Sequence, residues 1–232
     1  MKETNIRNAE RALTITTVLT LFVAGFETLM AYSNYKPGMN FFDLASYATA
    51  NQNVYCLILI LANLILLPSA IMLYHQNGAS LKDEIYSKQT LGKDILYGIA
   101  ALAVTEVFSL IYSLLCLWGR TEFAYTNTDT SVGTTTIRII ALAFVSGICK
   151  EIYFRGLAKR FCGSVLGETQ ALLLFNIMFA MLDWYNIGFS FIAGLVWIFA
   201  YKKTGHLLTS MIAHGGANLI GIIYMILTSG VR

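Results

Sequence analysis

Lys150, Glu151 and Arg155 stand in an otherwise oily stretch, Lys150-Glu151-Ile152-Tyr153-Phe154-Arg155-Gly156, directly behind the apolar run 139–145. An ionisable group at membrane depth costs roughly 2.5–3.5 kcal/mol even on lenient insertion scales. A chain keeps such groups where they face a partner, a water-filled cavity or a reaction. Glu151 and Arg155 are four residues apart, so they share a helical face and can form an ion pair. Two uses of that pair are open. The charges can simply neutralise each other, which costs less than either alone. Alternatively, Arg155 can hold Glu151 ionised and oriented as a base or ligand.

His214 and Asn218 repeat the four-residue spacing near the C-terminus, in Ala213-His214-Gly215-Gly216-Ala217-Asn218. Histidine supplies a base or a metal ligand, and asparagine a neutral donor and acceptor. The glycines between them allow another helix to approach closely, so a plain helix-packing hydrogen bond is the competing reading. Asp183 ends an apolar stretch and precedes Trp184-Tyr185, an interfacial aromatic pair. On its own it reads as a helix-end or loop residue. His75 and His206 read as interfacial residues without a role. Glu27 and Glu106 are carboxylates inside apolar stretches with no local partner; they either face the charged cluster or are protonated.

The elements that carry these residues are membrane spans of about 20 residues each. Seven candidates are visible: Ala12–Tyr32, Val54–Tyr74, Ile95–Trp118, Thr136–Phe161, Ala171–Asp183, Phe189–Tyr201 and Leu207–Thr228. The fold class is therefore all-α, a polytopic bundle of about seven spans (six to eight). The fifth and sixth candidates are short. His75–Lys93 and Gly119–Thr135 read as loops. Residues 1–135 form N-terminal helices and loops and 136–232 the helical core, within one integrated membrane domain whose first three spans are expected at its periphery.

Composition agrees. Of 232 residues, 56% are hydrophobic and 12% charged, with mean hydropathy +0.63; soluble domains carry about 25% charged residues. The first apolar run is too long for a signal-peptide core and reads as a span. The net charge of +3 resides at span ends, which suits membrane topology and not nucleic-acid binding. With the N-terminus in the cytoplasm, Lys2, Arg7, Arg11, Lys82, Lys88, Lys93, Lys159, Arg160, Lys202 and Lys203 lie inside, against Lys36, Arg120, Arg138 and Arg232 outside. Cys56, Cys116, Cys149 and Cys162 are scattered with no CxxC pair, so they read as small buried hydrophobes and not as disulfides or zinc ligands. A metal is disfavoured because neutral ligands are few and Lys150 would repel a cation. No cofactor is expected.

Three short patterns in order resemble one family: the CPBP intramembrane proteases, also called the CAAX-protease or Abi (bacteriocin-immunity) family. Its Glu-Glu-x-x-x-Arg motif, continuing into Phe-Arg-Gly, corresponds to Lys150-Glu151-Ile152-Tyr153-Phe154-Arg155-Gly156. Its Phe-x-x-x-His corresponds to Phe179-Ala180-Met181-Leu182-Asp183, and its His-x-x-x-Asn is intact as His214-Gly215-Gly216-Ala217-Asn218. Gly194-Leu195 and Thr204-Gly205 sit where the family has connecting-helix glycines. The resemblance spans about Thr136 to Ile223. It implies an intramembrane site built from Glu151, Arg155, His214 and Asn218. In the family, the first glutamate and the second-motif histidine are implicated in activating water; here those positions are Lys150 and Asp183. An ammonium is a poor general base. The exchange keeps one basic and one acidic member, so Lys150 and Asp183 are expected to form an interhelical ion pair.

Three functions are compatible with these residues. A catalytically impaired relative would act as a regulator or immunity factor through a membrane partner, and the lysine at position 150 favours this reading. An active intramembrane endopeptidase would use Glu151 as base or water-orienting group, with His214 and Asn218 on the oxyanion and Arg155 orienting Glu151. A small transporter would use the charged cluster as its site, but the inverted repeats and paired broken helices of transporters are not visible. The expected partners are membrane lipids and either another membrane protein or a peptide substrate, in a multi-pass protein of a bacterial cell membrane.

Overall fold

The computed structural model describes residues 2–40, 44, 47, 52–118 and 131–229. Arg120, Glu122 and Arg232 lie outside the described residues, as does the side chain of Cys116. Among the described residues, eight helical segments longer than a single 3-10 turn follow in order: α1 (Lys2–Ser33), α2 (Gln52–Gln76), α3 (Leu81–Ile85), α4 (Leu91–Trp118), α5 (Val132–Leu166), α6 (Glu168–Met181), α7 (Ile187–Thr204) and α8 (Leu207–Ser229). Among the described residues, six helical segments are long and apolar enough to cross a membrane, and α6, with 14 residues, is a shorter apolar helix. At 1.5 Å per residue it spans about 21 Å, less than a bilayer core.

Two loop assignments are corrected. The polar segment after α2 contains the one-turn α3, which Ser80 caps by accepting a hydrogen bond from the Asp83 amide. The helix expected from Thr136 starts at Val132, where Ser131 accepts from the Thr134 amide. Short polar side chains satisfy the first free amides of a helix, so the Ser- and Thr-rich approach is a start signal as well as a loop signal.

α5 is not a uniform α-helix. Two wide π-helical stretches, Ile139–Ser146 and Ile152–Cys162, flank the α-helical turn Gly147–Glu151. Such widening occurs frequently at functional sites. The second crossing helix, α8, meets α5 glycine on glycine. A Cβ on Gly147 would stand 2.7 Å from the Gly215 Cα, and a Cβ on Gly215 would stand 2.7 Å from the Ala143 carbonyl. At this close crossing the residue beside Gly215, His214, meets Glu151 on the facing turn of α5.

The first span is not peripheral. Its buried stripe, Leu19, Val23, Glu27 and Ala31, repeats every four residues and faces inward. α1 packs along the second π-stretch of α5 and against α2 and α6. α4 supports the opposite side, packed on α7 and α8. The shared core includes Tyr153, Phe154, Phe175, Phe179, Trp197 and Tyr201.

Candidate functional site

Glu151 is fully buried on α5, and one of its oxygens, Oε1, has two side-chain partners. Arg155 Nη1 lies 3.2 Å away and His214 Nδ1 2.7 Å away. The i,i+4 pair expected from sequence is thus made, and His214 joins it from α8. The other oxygen, Oε2, has no hydrogen bond of ordinary geometry. Arg155, also fully buried, extends the network with its second terminal nitrogen. Nη2 donates to Asn176 Oδ1 at 3.2 Å and to the Gly194 carbonyl at 3.4 Å. Asn176 in turn donates to the Phe191 carbonyl at 3.0 Å. Three helices, α5, α6 and α7, are therefore tied through one guanidinium. Its planar fork makes this possible where a lysine could offer only a point charge.

Aromatic rings wall the network. The Arg155 guanidinium carbon lies 4.4 Å from the Phe179 ring centre and 5.6 Å from that of Trp197. Trp197 stacks on the His214 ring with centroids 4.4 Å apart, and Phe179 meets the same imidazole edge-on at 5.5 Å. The indole is itself oriented from α4, donating to Thr105 Oγ1 at 2.9 Å. With Nδ1 committed to Glu151, the second imidazole nitrogen of His214 is the one left for chemistry. A carboxylate on one imidazole nitrogen, with the other left to act, is the arrangement that orients a general base.

Asn218 does not reach this network through a hydrogen bond. Its Nδ2 donates to the Leu142 carbonyl at 2.8 Å, within the first π-stretch, where the same carbonyl accepts from the Gly147 amide. The asparagine pins α8 to the widened part of α5.

Lys150 is 4% exposed, with its Nζ 5.9 Å from the Phe179 ring centre. The direct ion pair expected with Asp183 is not formed. Asp183 lies two residues beyond α6 and accepts instead from Ser190 Oγ at 3.1 Å, at the start of α7. The reason is position: the carboxylate has left the helix whose face points at Lys150, and the next helix captures it. The carboxylate of Glu27 on α1 is fully buried, and neither oxygen has a hydrogen bond of ordinary geometry. Glu106 is half-buried on α4.

Several participants escaped the sequence reading. Asn176 left one signal, a lone amide in an apolar helix one turn before Phe179. Trp197 and Thr105 left none, because their pairing joins α7 to α4. His206, read as having no role, bonds through Nδ1 to the buried Asp94 carboxylate at 3.2 Å and contacts Thr90 Oγ1 at 3.1 Å. That contact fastens the start of α4 to the turn between α7 and α8, where Gly205 adopts φ 86°. His75 is exposed at the end of α2, while Cys56, Cys149 and Cys162 are buried thiols.

A helix bundle with six membrane-length apolar spans and a carboxylate–guanidinium–imidazole centre in its core is a multi-pass membrane protein. Residues 132–220 match the family model of type II CAAX prenyl endopeptidase, Rce1-like. Over that stretch the chain is similar to the CAAX-protease (CPBP) family. The match runs from the first turn of α5 into α8 and contains Lys150, Glu151, Arg155, Asp183, His214 and Asn218, while α1, α2 and α4 lie outside it. No curated protein and no solved structure matched the chain.

Proposed function

We propose that this chain is a catalytically impaired member of that family and works through a membrane partner, as a regulator or an immunity factor. The observation that carries this reading is the state of the two motif residues on α5. Lys150 stands where the family has its first carboxylate, enclosed against Phe179. The adjacent carboxylate, Glu151, is fully buried, with Oε1 bound by both Arg155 and His214. A base must lie within hydrogen-bond reach of the water it activates. Here the first motif offers an ammonium, and the surviving carboxylate is committed to Arg155 on its own helix and His214 on α8. The second motif offers Asp183, engaged by Ser190. Residues kept for structure preserve the scaffold that a partner would recognise.

One observation favours a second reading, an active endopeptidase. The 2.7 Å contact between Glu151 Oε1 and His214 Nδ1 could orient the imidazole as the base, with Asn218 nearby on the same helix. The readings separate in a cleavage assay on the purified full chain with transmembrane peptides. The first predicts no cleavage above that of Glu151→Ala and His214→Ala. Cleavage by the wild-type chain that both changes abolish would establish the second. The cytoplasmic N-terminus belongs to the same proposal, supported by the Lys and Arg distribution.

A further inference from the structure

At the end of the bundle where α1 begins and α2 ends, an open groove of about 620 Å³ lies between these two helices. Arg11 Nη1 donates to Gln76 Oε1 at 3.1 Å, and Asn8, just before it on α1, donates to Asn77. These contacts join the start of α1 to the end of α2, so the helices run antiparallel and their levels can be matched. The lining changes character along that axis. Arg7, Glu10 and Arg11 stand at the mouth with Gln76. Thr14 and Ser69 bring hydroxyls, and Ile15, Met72 and Leu73 bring apolar surface. Beyond the groove the same two faces continue at steps of three and four residues. There they are apolar: Val18, Leu21 and Phe22 on α1, and Leu61 and Ile65 on α2, are between 47% and 71% exposed.

Two guanidiniums against one carboxylate leave the mouth net positive, which suits an anion. Each guanidinium has five N–H donors. The exposed 3.7 Å contact of Arg7 with Glu3 and the single bond of Arg11 to Gln76 leave donors on both. A soluble anion would need only the mouth. The order of cation, hydroxyl and apolar track instead matches an amphiphile, in which charge, glycerol backbone and acyl chain follow one another. From Arg7 to Ile15 the groove runs about 12 Å at 1.5 Å per residue. That length accommodates a headgroup and glycerol backbone, with the chains leaving over the exposed track.

We propose that this groove binds an anionic phospholipid, its phosphodiester held by Arg7 and Arg11 and one acyl chain lying on the apolar track between α1 and α2. Basic pockets between membrane helices recognise phosphate headgroups in this way. Glu10 accepts from a headgroup hydroxyl, so phosphatidylglycerol is the best complement; the ammonium of a zwitterionic headgroup would meet the surplus guanidinium. Both helices lie outside residues 132–220. The site is therefore separate from the family-matched core and stands whether or not that core cleaves peptides.

The test titrates the purified full chain, in uncharged detergent micelles, with phosphatidylglycerol or phosphatidylcholine of the same acyl chains and reads bound lipid by native mass spectrometry. Phosphatidylglycerol should bind about fivefold more tightly, the worth of one surplus basic residue beside an anionic headgroup. Arg7→Gln with Arg11→Gln should abolish that margin, and Arg7→Gln alone, on an exposed side chain, should remove most of it. Lys203→Gln takes a charge from the end of α7, outside the groove, and should leave the margin within about twofold. Ser69→Trp fills the groove without changing its charge and should bring phosphatidylglycerol down to the phosphatidylcholine level. Melting temperatures identify the variants that remain folded. Equal binding of the two lipids overturns the site, as does a margin that survives the double arginine change or Ser69→Trp. Displacement of phosphatidylglycerol by an equal concentration of glycerol phosphate would overturn the lipid assignment in favour of a soluble anion.

Discussion

Replacing Arg155 by leucine separates a structural network from a catalytic one. In the wild type the guanidinium supplies one of the two donors on Glu151 Oε1 and the donor for both Asn176 Oδ1 and the Gly194 carbonyl. Arg155→Leu leaves the buried Glu151 with His214 alone and strands two further acceptors. Breaking one side of a buried ion pair costs about 3–5 kcal/mol. For a chain of this size that corresponds to a fall of roughly 6–20 °C in melting temperature, at about 2–4 °C per kcal/mol. Removing both partners, as Arg155→Leu with Glu151→Leu, eliminates the stranded charge. The double variant should regain more than half of the loss, keeping a residual cost of about 1–3 kcal/mol from the unpaired His214, Asn176 and Gly194 groups. Thermal melts in one detergent, followed by tryptophan fluorescence, measure all three differences. A single variant that loses less than about 1 kcal/mol, or a double variant no better than the single, would refute the assignment of Arg155 and Glu151 as a mutually compensating core pair.

Gly147→Ala should cost about 1–3 kcal/mol and shift the α5–α8 crossing, because its new Cβ would meet the Gly215 Cα at 2.7 Å; an unshifted melt would show that the helices can part freely. Asn176→Leu should cost about 1–3 kcal/mol by stranding one arm of Arg155 and the Phe191 carbonyl, and Asn176→Asp should recover part of that loss by keeping an acceptor for the guanidinium. Trp197→Phe and Thr105→Val should each cost about 1 kcal/mol, and their combination little more than either alone, since both delete the same 2.9 Å hydrogen bond. Fully additive losses would place the two residues in separate interactions.

The fold was legible from sequence because a bilayer constrains it harshly. Long apolar runs can only be helices there, and the fourth candidate span was recognised together with the charges it carries. The Glu151–Arg155 pair was legible because i,i+4 spacing determines its geometry on a single helix. The placement of His214 was legible only in part: Gly215 and Gly216 announce a close crossing, but not which helix is crossed. Asn218 shows the limit, since its spacing from His214 suggests one shared site while its side chain bonds to the Leu142 carbonyl. That acceptor lies in a π-stretch, and no periodicity in 139–146 announces the widening. The Lys150–Asp183 pairing failed because a linear motif cannot show that Asp183 lies past the end of α6, where Ser190 captures it. Glu27 lay outside every motif. Its burial follows the four-residue stripe Leu19–Val23–Glu27–Ala31 on α1.

The most direct test of the central claim is cleavage of transmembrane peptides by the purified wild-type chain beside Glu151→Ala and His214→Ala, in the same detergent and with matched folded fractions. An impaired family member predicts that all three give the same background. A wild-type signal clearly above both variants would contradict it and would make the Glu151–His214 contact the heart of a working protease.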